Sequence, residues 1–491
     1  MFLIYNISII HAQAEHGFPD LQPNPAALEF ARNGQKDILS WEDIAVMALW
    51  ASGLPAGRDG TLNDPSHLTL LRQAVFELHG PGVLPSDPRT RGEFILNFMH
   101  QRFLKTYSEQ QTRLDTLLSN GTYNCVSSAV LYTILASAAG LRAEGVMTRD
   151  HAFAAVLAGT ESVDVETTNP YGFDPGTKRE FQDRFGRITG FAYVPPGNYR
   201  ERSSLSQMEL VSLILSNRIA VLESRSRYAE AVSLALDREA LLSQRQHPAD
   251  SPFFSDPRKD VMDRLFNFGA ALVGAGREKE ALDWAVYAGE RFQDNERWQE
   301  FVHTAMNNLL VKLIRQNRIS EARDELDVNA YRLTPRNYDL LNAMVSDAEL
   351  VRLSQAAGGE IEVQAAIDVI GQALSRSLVS PARAEELRTF VILREAERLG
   401  RDKGPPAAIA YTEQAVSRYG SNSQLQNALS VFRANRIADL HNRFAELFNK
   451  GNYEEALAAV REALEEFPGN RRLTEDLVLA EQALRQQQNR Q

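Results

Sequence analysis

Pairs of alanines seven residues apart recur through the second half of the chain, and this spacing limits its fold more than any other feature. Seven residues are about two turns of an α-helix, so both alanines of a pair lie on one face. Small side chains there let two helices approach closely. The pairs are Ala281/Ala288, Ala366/Ala373, Ala408/Ala415 and Ala456/Ala463, with single counterparts at Ala231 and Ala322. The sequence therefore predicts an all-α array of packed helices over residues 206–485.

The clearest unit of this region is GNYEEALAAVREALEEFPGN, which contains Gly451, Tyr453, Ala456, Ala463 and Pro468. With these residues in these places, the unit resembles a tetratricopeptide repeat. Gly269 with Ala281 and Ala288 matches a second unit. From one repeat to the next, the first alanine of the pair, or the single alanine, is displaced by 41 to 50 residues. Tetratricopeptide repeats have a period of about 34 residues. Longer helices or loops would explain the difference, and a different helical solenoid is the alternative. The resemblance implies a protein or peptide partner.

Length and charge restrict the remaining possibilities. At 491 residues the chain exceeds what one hydrophobic core usually serves, so we expect two or more structural units. The net charge of −11, without a dense Lys/Arg block, argues against a nucleic-acid partner. No apolar stretch reaches about 18 residues, so we expect no transmembrane helix. No HExxH or Cys-x-x-Cys motif is present, so the sequence predicts no metal or other cofactor.

The N-terminus is typical of an export signal without its basic start. An apolar run from Phe2 to Ile10 ends in Ala12-Gln13-Ala14, which resembles a signal-peptidase site. We expect residues 1–14 to be a truncated signal peptide and the protein to be periplasmic or in the cell envelope; a buried strand in a cytoplasmic protein is the alternative. A single cysteine fits either compartment.

Three further segments are predicted. Residues 15–205 should form one domain that begins with helices, the first of them capped by Ser40 with Asp43 in its third position. The boundary falls in PPGNYRERSSLS, which ends at Ser206, before the helical repeats of 206–485. Residues 486–491 should be a disordered tail.

Cys125 is the only cysteine, and the sequence places it at the start of a helix. Asn124 is a competent N-cap, and Gly140 fits the left-handed residue that ends the helix. Free N–H groups and the helix dipole favour a thiolate at such a position. The backbone N–H of Cys125 is a candidate oxyanion donor, with Tyr123 or Asn124 as candidates for the second.

His151 opens a predicted β-hairpin that also contains two carboxylates. The strands are Ala152–Leu157 and Ser162–Thr168, joined through 158–160. A turn centred between residues 158 and 159 places His151 directly opposite Glu166, with Asp164 diagonal on the same face. Both carboxylates are therefore candidates to orient the imidazole.

Cys125 at a helix start, His151 in the sequence HAF and an acid in VDVETT together resemble the transglutaminase-like superfamily, which has a papain-type Cys-His-Asp site. The match covers about residues 90–170, and it implies an α+β, cysteine-protease-type fold. It departs from the family at Asn124, where Gly is common, and at Phe153, where Trp is common. The family's Asp-Pro-Thr is Glu166-Thr167-Thr168 here, so Glu166 takes the third role and Asp164 is its rival.

The resemblance implies thiol-dependent hydrolysis of amide or peptide bonds, or acyl transfer, through a Cys-His-Glu triad and a thioester. The superfamily also includes proteins that have lost activity. The alternative is therefore a non-catalytic repeat scaffold that carries an inactive transglutaminase-like domain.

Overall fold

A computed structural model describes residues 17–34, 39–175, 202–244 and 254–488. The chain divides into two compact units, one ending at Ala305 and the other beginning at Met306. Most described residues are helical, and a small sheet region belongs to the first unit. Within these ranges no helix is both long and apolar enough to cross a membrane. Residues 1–14, predicted as a signal peptide, lie outside them.

Helices make up most of the first unit before Cys125. They are α1 (Pro25–Asn33), α2 (Trp41–Ala51), α3 (Ser66–Leu78), α4 (Pro88–Arg102) and α5 (Leu114–Asn120). The predicted cap of α2 is confirmed: Ser40 Oγ accepts from the Asp43 N–H, and the Asp43 carboxylate accepts from the Ser40 N–H. This reciprocal pair satisfies two N–H groups that have no partner within the helix.

Helix α6 (Cys125–Ala138) is the centre of this unit. Every residue from Val126 to Ala136 is buried, which is typical of a helix surrounded by other elements. The helix begins one residue after its predicted cap, and Gly140 has the predicted positive φ of 77°. Both predictions about the ends of the cysteine helix are confirmed.

Two sheets lie beside this helix. One is a parallel pair, β1 (Thr106–Tyr107) with β2 (Thr122–Tyr123). The other is antiparallel in the order β5-β4-β3-β6, formed by β3 (Arg142–Met147), β4 (Ala152–Ala158), β5 (Glu161–Val165) and β6 (Ser203–Leu205). Helix α6 packs against β3 and β4. Ala154 and Val156 belong to the core shared with α6, whereas Phe153 and Ala155 form a separate apolar cluster with Val146, as strand alternation requires.

The predicted hairpin exists, but its predicted register is wrong. The observed pairs include Ala158 with Glu161 and Ala154 with Val165, so the turn is Gly159-Thr160. Gly159 has φ of 69°, and a glycine with positive φ at the first central position is typical of a type II′ turn. Every pairing therefore slides by two residues from the prediction. Because side chains alternate with a period of two, the faces are unchanged.

Helices α7 to α19 make up most of the described residues that follow β6. Their bounds are α7 Gln207–Ser224, α8 Tyr228–Leu241, α9 Pro257–Gly274, α10 Glu278–Gly289, α11 Asn295–Arg315, α12 Ile319–Val328, α13 Pro335–Ala356, α14 Glu360–Ser375, α15 Pro381–Lys403, α16 Pro405–Tyr419, α17 Ser423–Asn449, α18 Tyr453–Glu466 and α19 Arg471–Gln488. This succession is compatible with the predicted all-α solenoid. All ten alanines that predicted it are buried, from fully buried to 7% exposed.

A local pattern repeats at the turns between these helices. A residue with positive φ lies two positions before α8, α10, α12 and α18: Ser226, Gly276, Asn317 and Gly451. In the first three turns, the residue after the one with positive φ is an arginine, which forms an ion pair with a glutamate three positions later. That glutamate directly precedes the buried alanine of the repeat. The fourth turn has Asn452 and Glu455 in those places. The repeat is therefore built on a turn and a side-chain pair to glutamate as well as on alanine.

The predicted domain limits can be compared with these elements. The expected start of the helical region at 206 is one residue before α7, whose Leu210, Val211 and Ile214 belong to the same core as α6. The division between the two compact units lies at Ala305. At the C-terminus α19 extends to Gln488, so residues 486–488 of the predicted tail are helical. Residues 489–491 lie outside the described ranges.

Candidate active site

The start of α6 holds Cys125 in a fixed position. Asn124 Oδ1 accepts from the Ser127 N–H at 3.0 Å, and Ser127 Oγ accepts from the Asn124 N–H at 3.0 Å. Both capping residues are buried, whereas Cys125 keeps partial exposure. Cys125 is the first helical residue, so its N–H has no acceptor within the helix. The sulfur therefore lies at the positive end of the helix dipole.

His151 contacts both other predicted members of the site. Its Nε2 lies 2.5 Å from Glu166 Oε2, and its ring also hydrogen-bonds the Cys125 side chain. Because Nε2 is bonded to Glu166, Nδ1 is the nitrogen that remains for the sulfur. His151 is 9% exposed and Glu166 5% exposed. The structure thus brings the three side chains into one hydrogen-bonded line.

The electrostatics of this line favour a charged imidazole. Burial alone would lower the pKa of His151, but the Glu166 charge and the hydrogen bonds to Cys125 and Glu166 outweigh it. The pKa of His151 is therefore raised well above its ordinary value. The raised pKa favours an imidazolium held between the Glu166 carboxylate and the Cys125 sulfur.

Glu166 reaches His151 despite the register error described above. Extending the observed pairing by one step places Phe153 opposite Glu166, with His151 two residues further along the same face. The near-parallel His151 and Phe153 rings, with centroids 6.3 Å apart, are consistent with that shared face. The glutamate side chain is long enough to reach from its own position to His151, its diagonal neighbour on the adjacent strand.

The second oxygen of Glu166 is fixed locally. Oε1 accepts from the Thr168 N–H at 3.1 Å and from the Thr168 hydroxyl at 2.7 Å. The carboxylate therefore has one oxygen for Thr168 and the other for His151. This arrangement fixes the imidazole orientation as the third member of a catalytic triad does.

Three side chains from other elements hold the segment that carries Glu166. The ring nitrogen Nε2 of His100, on α4, donates to the Thr167 carbonyl at 3.0 Å. The Tyr123 hydroxyl donates to the Thr168 carbonyl at 3.2 Å, and Ser128 Oγ lies 2.8 Å from Thr167 Oγ1. Sequence reasoning did not find His100 or Ser128, because neither lies near the hairpin in sequence.

Burial sets the ionisation of the groups around the triad. It lowers the pKa of His100 to about 4, against opposing effects of the Thr167 hydrogen bond and the Glu166 charge. Burial, with the Glu166 charge, raises the pKa of Tyr123 to about 12. It also raises the pKa of Tyr107, followed by the effect of Cys125. At neutral pH these three side chains are therefore uncharged.

The backbone of Gly172 packs directly against the backbone of Glu166. The Glu166 N–H donates to the Gly172 carbonyl at 2.8 Å, and a Cβ on Gly172 would lie 2.0 Å from the Glu166 carbonyl oxygen. Real Cβ atoms never approach an oxygen so closely. Glycine is therefore required at this position if Glu166 is to stay where it is.

Asp164, the predicted rival of Glu166, has a different partner. Arg202 donates to its two oxygens at 2.7 and 2.8 Å, a bidentate pair. The Arg202 guanidinium also lies over the Phe153 ring, 5.3 Å from its centroid. Asp164 thus fixes Arg202 beside the hairpin, while Glu166 contacts His151.

The three candidate oxyanion donors differ in what they already bind. Asn124 uses its backbone N–H for Ser127 and a side-chain N–H for the Glu109 carbonyl at 3.0 Å. The Tyr123 hydroxyl is bonded to Thr168. The Cys125 N–H points from the helix start and is the donor that the capping geometry leaves for a substrate oxygen.

Within the described parts of the chain, no group of three or more His, Cys, Asp or Glu side chains is placed to hold a metal ion. No protein-family model and no curated protein matches this chain.

Proposed function

We propose that this protein is a thiol-dependent amide or peptide hydrolase, or an acyltransferase, with Cys125 as nucleophile, His151 as general base and acid, and Glu166 as orienting group. The site resembles that of the transglutaminase-like superfamily. The helical repeats would bring a protein or peptide substrate to it. The proposal includes an α+β transglutaminase-like domain around α6 and its sheet.

One observation carries the proposal: the continuous line from Cys125 through His151 to the Glu166 carboxylate. A buried histidine and a partly exposed thiol are each common and inert on their own. Joined to a carboxylate that accepts one hydrogen bond from the imidazole and two from Thr168, they have the geometry of nucleophile, base and orienter. The position of the sulfur at a helix start gives a further reason to expect a thiolate.

The reaction follows from this arrangement. The Cys125 sulfur attacks the carbonyl carbon of an amide, and the oxygen gains negative charge that the Cys125 N–H stabilises. The imidazolium of His151 gives its proton to the departing amine as the C–N bond breaks, which leaves a thioester. Neutral His151 then removes a proton from water or from a second amine, which attacks the thioester and regenerates the thiolate–imidazolium pair. Water makes the enzyme a hydrolase, and an amine makes it a transferase.

The test is formation of an acyl-enzyme on the single cysteine. With p-nitrophenyl acetate at pH 6.5, we expect a burst of p-nitrophenol with one equivalent per chain, followed by slow turnover. Intact mass should show one acetyl group, removable by hydroxylamine. A fluorescent primary amine added during turnover should become N-acetylated, with release of the free Cys125 thiol, only if the enzyme is a transferase.

Two variants give the controls. Cys125→Ala should fold and show no burst, and His151→Phe should retain the thiol but lose the burst at pH 6.5. A wild-type trace that equals the Cys125→Ala trace would refute the enzymatic proposal. It would favour the alternative of a repeat scaffold with an inactive domain.

A further inference from the structure

A cavity of about 520 Å³ lies in the first unit, between the loop before α5 and the turn that joins α7 to α8. The loop contributes Thr112 and Arg113, helix α7 contributes Arg218, and the turn after it contributes Arg225 and Arg227. Its volume is within the range of small-molecule sites. None of these residues belongs to the site around Cys125.

The charge of the cavity is opposite to that of the whole chain. Four arginines and one glutamate line it, while the chain carries a net charge of −11. Two of the arginines are neutralised: Arg113 pairs with Asp115 at 2.6 Å and Arg227 with Glu230 at 2.5 Å. Within the described ranges, Arg218 and Arg225 are in no ion pair.

Arg218 is the most buried of these four arginines. It is half-buried and donates to the carbonyl of Ala51, the last residue of α2, at 2.6 Å. Burial, followed by repulsion from Arg113, lowers its pKa, against the opposing charges of Asp115, Asp237 and Glu230. A partly buried guanidinium that forms no ion pair is poorly solvated, and an anion bound in the cavity would relieve that cost.

Backbone and side-chain contacts keep the cavity formed without a ligand. Asn217, beside Arg218 on α7, donates to Thr112 Oγ1 at 3.2 Å. Leu114, after Arg113, donates its N–H to the buried Ser52 hydroxyl at 2.8 Å. The loop before α5 and helix α7, which form two walls of the cavity, are thus tied to each other, and the loop is tied to the core.

We propose that this cavity binds an oxyanion group, a carboxylate or a phosphate, between Arg218 and Arg225. Guanidinium groups recognise both anions through paired N–H donors. The ligand is a small molecule or a side chain that carries such a group. The site does not depend on the chemistry proposed for Cys125.

The test is binding of inorganic phosphate and of succinate to the full chain, each titrated at constant ionic strength by calorimetry. Arg225→Gln removes an exposed cation that makes no ion pair, so folding should be unaffected while the affinity falls about tenfold or more. Arg218→Met should abolish binding, and because it also loses the Ala51 bond, its fold is checked by circular dichroism. Arg142→Gln, an exposed arginine on β3, is the matched control and should bind as the wild type does.

Each result decides the proposal. Binding of phosphate alone assigns a phosphoryl ligand, binding of succinate alone assigns a carboxylate, and either supports the site when Arg225→Gln weakens it. Absence of binding by both anions, or binding equal in Arg225→Gln and Arg142→Gln, would overturn it. The same measurement on Cys125→Ala should give unchanged affinity, which separates this result from any failure of the thiol chemistry.

Discussion

Replacing Glu166 with glutamine should disable the base without removing any hydrogen-bonded side chain. Thr168 donates two hydrogen bonds to Oε1, one from its backbone N–H and one from its hydroxyl. The glutamine oxygen should therefore take that place and turn the amide nitrogen toward His151. An N–H donor facing Nε2 keeps that nitrogen unprotonated, so the neutral ring carries its proton on Nδ1, toward the sulfur. In that tautomer His151 cannot accept a proton from Cys125.

The size of the effect follows from two contributions. Loss of a charge-assisted hydrogen bond in a buried pair is worth about 1.5–3 kcal/mol, or about ten- to a hundredfold in the thiolate–imidazolium population. The wrong tautomer adds to that loss, as it does when the acid of a catalytic triad is replaced by its amide. We therefore expect iodoacetamide to alkylate Glu166→Gln at least about a hundredfold more slowly than wild type at pH 6.5.

Because Cys125 is the only cysteine, total thiol loss measures its reactivity alone. The matched control is Asp164→Asn, which disturbs a carboxylate two residues away that binds Arg202 and not His151. Its rate should stay within about threefold of wild type. At pH 9.5, where a thiol ionises without a base, the Glu166→Gln deficit should largely disappear. A deficit of less than about threefold at pH 6.5, or a larger deficit in Asp164→Asn, would refute the assignment of Glu166.

Three other substitutions test the surroundings of the site and one buried acid. Gly172→Ala must displace the Glu166 carbonyl, so alkylation at pH 6.5 should slow at least about tenfold; an unchanged rate would show that the loop relaxes freely. His100 has its pKa lowered from 6.5 to about 4, so its contribution to stability is complete above pH 6.5 and is lost as the pH falls toward 4, by about 3 kcal/mol. His100→Gln, which keeps a donor for Thr167, should therefore show a smaller decrease in unfolding midpoint between pH 7 and pH 4 than wild type, and parallel curves would contradict this. Burial raises the pKa of Asp237 from 3.8 to about 6, so the stability it provides at low pH is lost as the pH rises through 6. Asp237→Asn should raise the unfolding free energy by up to about 3 kcal/mol at pH 7.5 and hardly at all at pH 4; the opposite pH dependence would count against the raised pKa.

Local signals in the sequence were sufficient for the elements that carry Cys125 and His151. Asn124 caps the cysteine helix and Gly140 ends it, because capping depends on residues within one turn of the helix end. The alanine spacing located the buried helix faces for the same reason. These features need no knowledge of the rest of the chain.

The hairpin shows how a wrong detail can preserve a correct consequence. Placing the turn one residue early shifted every cross-strand pair by two, and an even shift leaves each side chain on its predicted face. Glu166 therefore contacts His151 diagonally, although the sequence predicted a direct pair. A shift by one would have separated them.

Contacts between distant segments could not be read from the sequence. His100 reaches the Thr167 carbonyl across 67 residues, and Arg202 pairs with Asp164 across 38. Both depend on how α4 and β6 pack around the hairpin, which no local pattern encodes. The cationic cavity was missed for the same reason, since its arginines come from segments about a hundred residues apart in the chain.

The charge state of His151 in the intact chain is the measurement on which the catalytic interpretation depends. Carbon-13 labelling of the histidine Cε1 positions, with His151→Phe to assign the signal, follows the imidazole from pH 5 to pH 9. Since Glu166 and Cys125 together raise the pKa of His151, its ring should remain an imidazolium at pH 7.5 in the wild type and titrate at lower pH in Glu166→Gln. A ring that is already neutral at pH 7, with the same titration in both proteins, would contradict the thiolate–imidazolium pair and the chemistry inferred from it.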